Sequence, residues 1–222
     1  MNEQLIVHQA RQSIYALLQR LYQEAPDEAL LEWLSAEKPF ADFPVRLDDE
    51  AGKALDQIDE AVRTIPMTDL RADFKRLFIG PGPMQAPPWE SVYRNEDHLL
   101  FDQHTIQVRV FYARHGMEFV RIHEMPEDAI AIELEFMRVL TERLTQAVEQ
   151  NDAEAEKLLL NEQLDFLRQH LLMWVPTFAM FCQRRANTAF YSALAAVLMG
   201  FLNWDEQTLL LLQSSAVKEQ VE

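Results

Sequence analysis

The chain has 222 residues, 49% of them apolar, with only 5 glycines and 10 prolines, which is typical of a packed, helix-rich globular protein. Its 36 acidic and 20 basic residues leave a net charge of −16. This charge argues against nucleic acid and anionic membrane surfaces as partners, because phosphate groups bind to positive surfaces.

The N-terminus and the cysteine content predict where the protein resides. Residues 1–9 do not combine a basic segment with an apolar run, so they do not resemble a secretory signal. The most continuous apolar stretch, residues 193–202, is far shorter than the ~20 residues of a membrane span. The single cysteine, Cys182, permits no internal disulfide and agrees with a reducing compartment. The sequence therefore predicts a soluble, cytoplasmic protein.

Apolar residues at steps of three and four predict helices through the first half of the chain. Capping residues and prolines predict where these helices begin and end. The expected helices are residues 3–23, Asp27 to Trp33, Ala51 to Ile65 before Pro66, and a fourth that begins at a cap at Thr68 or Asp69. A further helical turn is expected at residues 97–101.

The second half is also expected to be helical. Residues 105–116 alternate like a strand, but an isolated strand would have no partner in so helical a chain, and a helix is predicted instead. A long helix is expected from Glu127, with a carboxylate-rich first turn, and the next helix is expected to be capped at Asn151–Asp152. A further helix is expected to start or kink at Pro176, followed by a break at Asn187–Thr188. The last two expectations are a buried helix over 190–202 and a final helix capped at Asn203–Asp205. No linker or repeat divides the chain. The fold class predicted is therefore all-α, as one helical bundle domain over residues 1–222.

The stretch from Phe74 to Tyr93 interrupts this helical pattern. Phe74, Leu77 and Phe78 end a helix, and the sequence Gly-Pro-Gly-Pro at 80–83 forces the chain to change direction. Pro87 and Pro88 then favour an extended backbone in front of Trp89. Two interpretations remain open: a rigid aromatic loop that lines a binding groove, or a loop whose Trp89 fills the core.

Common catalytic patterns are missing from the sequence. The glycines at 80 and 82 lack the third glycine and the Lys-Ser/Thr pair of nucleotide-binding loops, and the sequence has no Gly-x-Ser-x-Gly or His-Glu-x-x-His motif. The histidines lack the spacing of metal ligands on one helix face. Carboxylates near residue 127 could form a pair, but a helix start explains them without catalysis. The sequence predicts no enzyme, metal or cofactor.

Three groups of segments resemble the TorD/DmsD family of cytoplasmic molybdoenzyme chaperones. They are Leu77–Pro81 with Ala86–Tyr93, Met125–Asp128 with Ile132–Met137, and His170–Pro176 with Phe178. The resemblance implies an all-helical fold and binding of the twin-arginine signal peptide of a dimethyl sulfoxide or trimethylamine N-oxide reductase-type apoenzyme, held back from export until its molybdopterin cofactor is loaded. The sequence departs from the family at Ala129, where the family has histidine.

A twin-arginine peptide joins two guanidinium groups to an apolar run, so its receptor needs carboxylates beside an aromatic groove. We expect the aromatic loop and the preceding helix end to take the apolar run, and Glu127 and Asp128, with Glu90 as a third candidate, to face the arginines. The predicted peptide-binding residues are Phe74, Leu77, Phe78, Pro87, Pro88, Trp89, Ser91, Tyr93, Glu127 and Asp128.

Two other functions remain open at this stage. One is a small hydrolase that uses the carboxylates near residue 127. The other is a chaperone that grips the folded part of its client instead of the signal peptide. The resemblance also allows a homodimer formed by the exchange of helices.

Overall fold

The computed structural model of the protein describes residues 3–95, 103–118 and 126–219, most of which are helical. The helices are α1 Glu3–Gln23, α2 Glu28–Glu37, α3 Asp49–Thr64, α4 Met67–Phe78, α5 Glu90–Arg94, α6 Gln103–Arg114, α7 Ile130–Glu149, α8 Ala153–Phe166, α9 Leu172–Arg185 and α10 Ala189–Glu219. Within these ranges the only β-type pairing is an isolated bridge between Trp89 and Ala129. The all-α class is confirmed.

Two helix pairs make the largest packing interfaces, α1 against α7 and α3 against α10. The buried apolar residues form one connected cluster that runs from Ile14 to Leu209. Residues 190–202 of α10 contribute much of it, as their nearly uniform apolar character predicts. The extent of the domain, residues 1–222, stays a prediction. None of the described helices is long and apolar enough to cross a membrane.

Local capping rules located several helix ends correctly. Asp27 accepts a hydrogen bond from the Leu30 amide at 2.8 Å, and Asp152 accepts one from Ala155 at 3.0 Å. Helix α1 has the predicted limits, and the helix predicted over residues 105–116 is present as α6, two residues earlier, at 103–114. Helix α2 continues beyond Trp33 to Glu37. The turn expected at 97–101 lies outside the described residues.

Two predicted helix starts were wrong. Helix α4 begins at Met67, one residue after Pro66, and no side chain caps it. Proline suits this position because it has no amide hydrogen to leave without an acceptor. Helix α7 begins at Ile130, so Glu127 and Asp128 lie before its first turn.

The break predicted at Asn203–Asp205 was also wrong, because α10 runs through it without interruption. Asp205 is fully buried and accepts hydrogen bonds from Arg11 Nε at 2.5 Å and Tyr15 Oη at 2.7 Å. A carboxylate with such partners is satisfied inside a helix. Asp205 therefore joins α10 to α1 and caps nothing.

The chain from α8 to α9 passes through a π-helical turn, Leu167–Leu171, and Pro176 lies within α9. The predicted break at 187–188 is present. Asp73 of α4 supplies the hydrogen-bond acceptor at this break. Its Oδ2 accepts hydrogen bonds from Asn187 N, Thr188 N and Thr188 Oγ1 at 2.8–2.9 Å.

Candidate functional site

The loop over residues 79–89, here called the Pro-Pro-Trp loop, is held by backbone hydrogen bonds at both ends. Near its start, Ala86 N donates to Leu77 O at 2.9 Å. At its end, Ile130 N donates to Pro88 O at 2.9 Å and Glu90 N donates to Asp128 O at 3.0 Å, on either side of the bridge at Trp89. The loop is thereby fixed against the segment that precedes α7.

Asp128 holds the far end of this loop with its side chain. Its carboxylate is fully buried, and Oδ2 accepts a 2.7 Å hydrogen bond from the amide of Ser91 in the first turn of α5. Burial raises the pKa of Asp128, and the hydrogen bonding with Ser91 opposes that rise. Asp128 thus provides α5 with a capping acceptor from a distant segment.

Glu127 is likewise buried and engaged. Its Oε1 lies 2.8 Å from Arg109 Nε and 2.7 Å from Arg109 Nη2, and its backbone carbonyl accepts a hydrogen bond from the Tyr112 hydroxyl. These contacts connect the start of α7 to α6. In this structure neither Glu127 nor Asp128 is exposed to solvent, so direct contact of either with peptide arginines stays a prediction that requires the surrounding segments to move.

A second group of buried carboxylates lies beneath the loop. Glu90 is fully buried, pairs with Arg94, and places Oε2 2.8 Å from His170 Nδ1. Glu133 is also fully buried and accepts a 3.1 Å hydrogen bond from Trp174 Nε1. Burial and the neighbouring Glu90 raise the pKa of Glu133 well above its usual value. Glu90 therefore connects α5 to the π-helical turn that contains His170.

An apolar cavity of about 830 Å³, here called the aromatic cavity, opens beside the Pro-Pro-Trp loop. It lies between the C-terminal part of α1, the end of α4, the loop and the first turns of α7. Its lining residues are Gln19, Tyr22, Gln23, Glu24, Phe74, Phe78, Ile79, Pro88, Trp89, Ala129, Ile130, Ala131, Ile132 and Glu135. Trp89 is half-buried beside this cavity, and its role as a binding residue stays a prediction.

Four predicted site residues meet at this cavity, namely Phe74, Phe78, Pro88 and Trp89. The others lie elsewhere. Leu77 is fully buried, and Tyr93 stacks on Trp174 with a ring separation of 5.5 Å. Pro87 is half-buried without lining the cavity. Ser91 and Asp128 are buried at the start of α5, and Glu127 is buried against α6.

Sequence reasoning missed the α1 and α7 contributions to the cavity. Tyr22 continues the apolar stripe of α1 and reads as an ordinary core residue, and Glu135 reads only as one of the carboxylates near residue 127 that could form a pair. The sequence does not show that the two residues share a cavity, because their common location follows from the packing of α1 on α7. Ala129, which replaces a family histidine, also lines the cavity.

The described residues contain no group of three or more His, Cys, Asp or Glu side chains that could hold a metal ion. A second apolar cavity of about 710 Å³ lies between α1, α2 and the loop that follows α2. Its lining includes Trp33 and Arg20 but none of the predicted site residues. The aromatic cavity is therefore the one that coincides with the sequence motifs.

Comparisons with known proteins agree with the resemblance. The family model described as nitrate reductase delta subunit matches residues 45–180. The chain is 31% identical to the chaperone protein TorD of Vibrio cholerae, over 94% of this chain and 96% of that protein. It is 34% identical to the TorD of Photobacterium profundum, over 64% of each chain. An Archaeoglobus fulgidus structure assigned as a redox enzyme maturation protein superposes with a TM-score of 0.50 at 19% identity, covering 85% of this chain and 92% of that one, which shows a shared fold.

Proposed function

Because the chain belongs to the TorD/DmsD family of molybdoenzyme maturation chaperones, we propose that its aromatic cavity binds the twin-arginine signal peptide of its client. The client is the apoprotein of a dimethyl sulfoxide or trimethylamine N-oxide reductase-type enzyme. Binding in the cytoplasm holds this apoprotein back from export until its molybdopterin cofactor is inserted. The chaperone makes and breaks no bond.

The observation that carries this proposal is the meeting of four predicted site residues at one apolar cavity. Phe74 and Phe78 supply buried aromatic surface from α4, and Pro88 and Trp89 supply half-buried surface from the loop. A volume of about 830 Å³ lies within the ~300–1,000 Å³ typical of ligand pockets. It suits a few apolar side chains of the signal peptide, while the rest of the peptide runs over the surface.

The backbone and side-chain contacts of Asp128, Glu127 and Glu90 support a positioning role for these carboxylates. Asp128 caps α5, Glu127 holds Arg109, and Glu90 lies against His170. Together they keep Trp89 at the cavity before a ligand arrives. A preformed aromatic group loses little conformational entropy on binding, which favours affinity.

The relatives are named as chaperones, so the hydrolase alternative gains no support from them. Recognition of the client's folded part remains the competing proposal for the same family. Deleting the signal peptide from the client separates the two: binding should be lost if the peptide is the main contact. A homodimer formed by helix exchange is compatible with this function and is checked by the mass of the purified protein in solution.

The role of Trp89 is tested by Trp89→Ala. We expect peptide affinity to fall by about 2–4 kcal/mol, the range for truncating a central aromatic side chain in an interface. The free energy of unfolding should change less than the ~3–5 kcal/mol expected for emptying a core tryptophan site. The measurements are titration calorimetry with a synthetic twin-arginine peptide and chemical denaturation of the same variant.

Trp33→Ala is the matched control. Trp33 is 45% exposed and lines the other apolar cavity, so its removal should leave peptide affinity unchanged. A Trp89→Ala protein that unfolds easily, yet binds the peptide normally in its folded fraction, would show that the site lies elsewhere.

A further inference from the structure

The third motif segment, His170–Pro176, does not line the aromatic cavity, and the peptide site gives it no role. Two of its side chains are buried and polar. His170 is 2% exposed, and its Nδ1 lies 2.8 Å from Glu90 Oε2 of α5. Trp174 is 0% exposed, and its Nε1 donates to Glu133 Oε2 of α7 at 3.1 Å. This segment therefore joins other helices by specific polar contacts.

The sequence explains why a π-helical turn occurs here. From Phe166 onward the buried residues come as adjacent pairs at steps of four, namely 166–167, 170–171, 174–175 and 178–179. In a regular α-helix, residues four apart are displaced by about 40° around the axis, so this face would turn away from the core. A π-helical turn closes its hydrogen bonds over five residues and offsets that displacement. His170 and Trp174 thereby stay buried on one side.

Two side chains of α5 bind this turn. The Glu90 carboxylate lies against His170 with Oε2 and pairs with Arg94 through Oε1. Arg94 Nη1 also donates to the main-chain carbonyl of Gln169 at 2.7 Å. Adjacent residues of the π-helical turn thus contact both charged groups of α5.

Aromatic contacts fix the groups that α5 meets. The His170 ring stacks on Phe166 at 4.9 Å and meets the ring of Phe111 edge-on at 5.2 Å. Tyr93 of α5 stacks on Trp174 at 5.5 Å. The imidazole therefore has little freedom to follow α5 if α5 shifts.

The position of Trp89 depends on α5, because Trp89 directly precedes its first residue. Main-chain amides of Glu90 and Ser91 donate to Asp128, which joins the start of α5 to the segment before α7. Helix α5 has only five residues, and so short a helix is not stable by itself. Its orientation, and with it that of the Trp89 indole, follows from the side-chain contacts that hold it.

Resting on the proposed function, we infer that His170 and Arg94 are positioning residues for peptide binding. Neither lines the aromatic cavity, so they act without touching the peptide. Through Glu90 and the Gln169 carbonyl they hold α5 against the π-helical turn, and α5 holds Trp89 at the cavity. When these contacts are removed, the peptide has to order Trp89 as it binds, and this ordering lowers its affinity.

The role of His170 is tested by His170→Leu and His170→Asn. Leucine fills most of the site without a hydrogen-bond donor, whereas asparagine keeps an N–H group close to the place of Nδ1. The probe is a fluorescent synthetic twin-arginine peptide of the trimethylamine N-oxide reductase type, followed by anisotropy. We expect His170→Leu to weaken binding about three- to tenfold, as for ordering one or two further groups, and His170→Asn to stay within about twofold of wild type.

Arg94→Met is the second variant, with Arg168→Met as its matched control. The Arg94 side chain is 21% exposed, so its replacement keeps the question testable if His170→Leu does not fold, which circular dichroism shows. Arg168 belongs to the same π-helical turn but pairs with Glu206 of α10. Arg94→Met should weaken the probe by at least about twofold, and Arg168→Met should bind it as the wild type does.

A positioning role acts only through Trp89, and a double-mutant cycle detects this. In a Trp89→Ala protein, the further change His170→Leu or Arg94→Met should cause no additional loss of affinity. A general loosening of the fold would weaken binding equally whether Trp89 is present or absent. Titration calorimetry measures the weaker affinities of the double variants.

The results separate this inference from the proposed function. Wild-type protein that binds the probe, together with His170→Leu and Arg94→Met variants that bind it equally well, would overturn the inference and leave the function standing. Losses that persist in full in the Trp89→Ala protein would overturn it too. Wild-type protein that does not bind the probe at all would overturn both.

Discussion

At the scale of single residues, Glu133 shows how burial changes a carboxyl group. It lies fully buried on α7 with Trp174 as its hydrogen-bond donor, near Glu90 and Asp128. Burial and the neighbouring Glu90 raise the pKa of Glu133 well above its usual value, which favours the protonated form of Glu133.

A raised pKa in the folded state makes stability depend on pH. The folded protein retains a proton on Glu133 that the unfolded chain releases once the pH exceeds the ordinary value of 4.5. The stabilisation is therefore present below that pH and is lost as the pH rises toward the folded-state pKa. Glutamine mimics the protonated form. As the pH rises above 4.5, Glu133→Gln should gain stability relative to the wild type, by about 1.4 kcal/mol for each pH unit until the folded-state pKa of Glu133 is reached.

The measurement is chemical denaturation of both proteins across this pH range. Glu135→Gln removes an exposed carboxylate from the same helix and controls for the loss of one negative charge. If the unfolding free energies of Glu133→Gln and wild type changed with pH in parallel throughout this range, Glu133 would be charged in the folded protein.

At the scale of elements, α10 is the helix on which the bundle's core depends. Leu194 and Leu198 are fully buried in it, whereas Leu211 of the same helix is 69% exposed. Gly200 also lies close to α3, since a Cβ added there would meet the Ala51 methyl at 2.3 Å. This side of α10 is therefore core and is not part of the aromatic cavity.

Leu198→Ala should cost about 2–5 kcal/mol of unfolding free energy, because a cavity opens where surrounding groups relax only in part. Leu211→Ala should change it by less than about 0.5 kcal/mol. Chemical denaturation measures both. The peptide should still bind the folded fraction of Leu198→Ala, and loss of binding without loss of stability would place this helix at the client site instead.

At the scale of the whole molecule, the net charge of −16 attracts a basic ligand over distances larger than a contact. The Debye length falls from about 10 Å at 0.1 M salt to about 3 Å at 1 M, so this attraction is screened while the apolar contacts in the cavity persist. The affinity for the twin-arginine peptide should fall with salt and then level off.

Titration at increasing salt checks this expectation. A peptide whose arginines are replaced by glutamine should bind more weakly at low salt and show little salt dependence. If the affinities of the two peptides depended equally on salt, the arginines would not contribute to the electrostatic attraction by the protein.

Local chemistry determined much of the fold from sequence alone. The caps at Asp27 and Asp152, the limits of α1 and the break after Phe78 each depend on residues a few positions apart. The Pro-Pro-Trp motif likewise pointed to the loop that borders the aromatic cavity, because prolines restrict their own backbone wherever they occur.

Only the tertiary structure decided the roles of several polar residues and the composition of the cavity. Asp205 reads as a cap, but it pairs with Arg11, 194 positions away. Asp73 likewise accepts hydrogen bonds from Thr188, 115 positions away, which no local pattern predicts. Tyr22 and Glu135 share a cavity because α1 packs on α7. Sequence periodicity shows which face of a helix is apolar, but the partner that buries this face depends on contacts across the whole chain, which a local pattern does not encode.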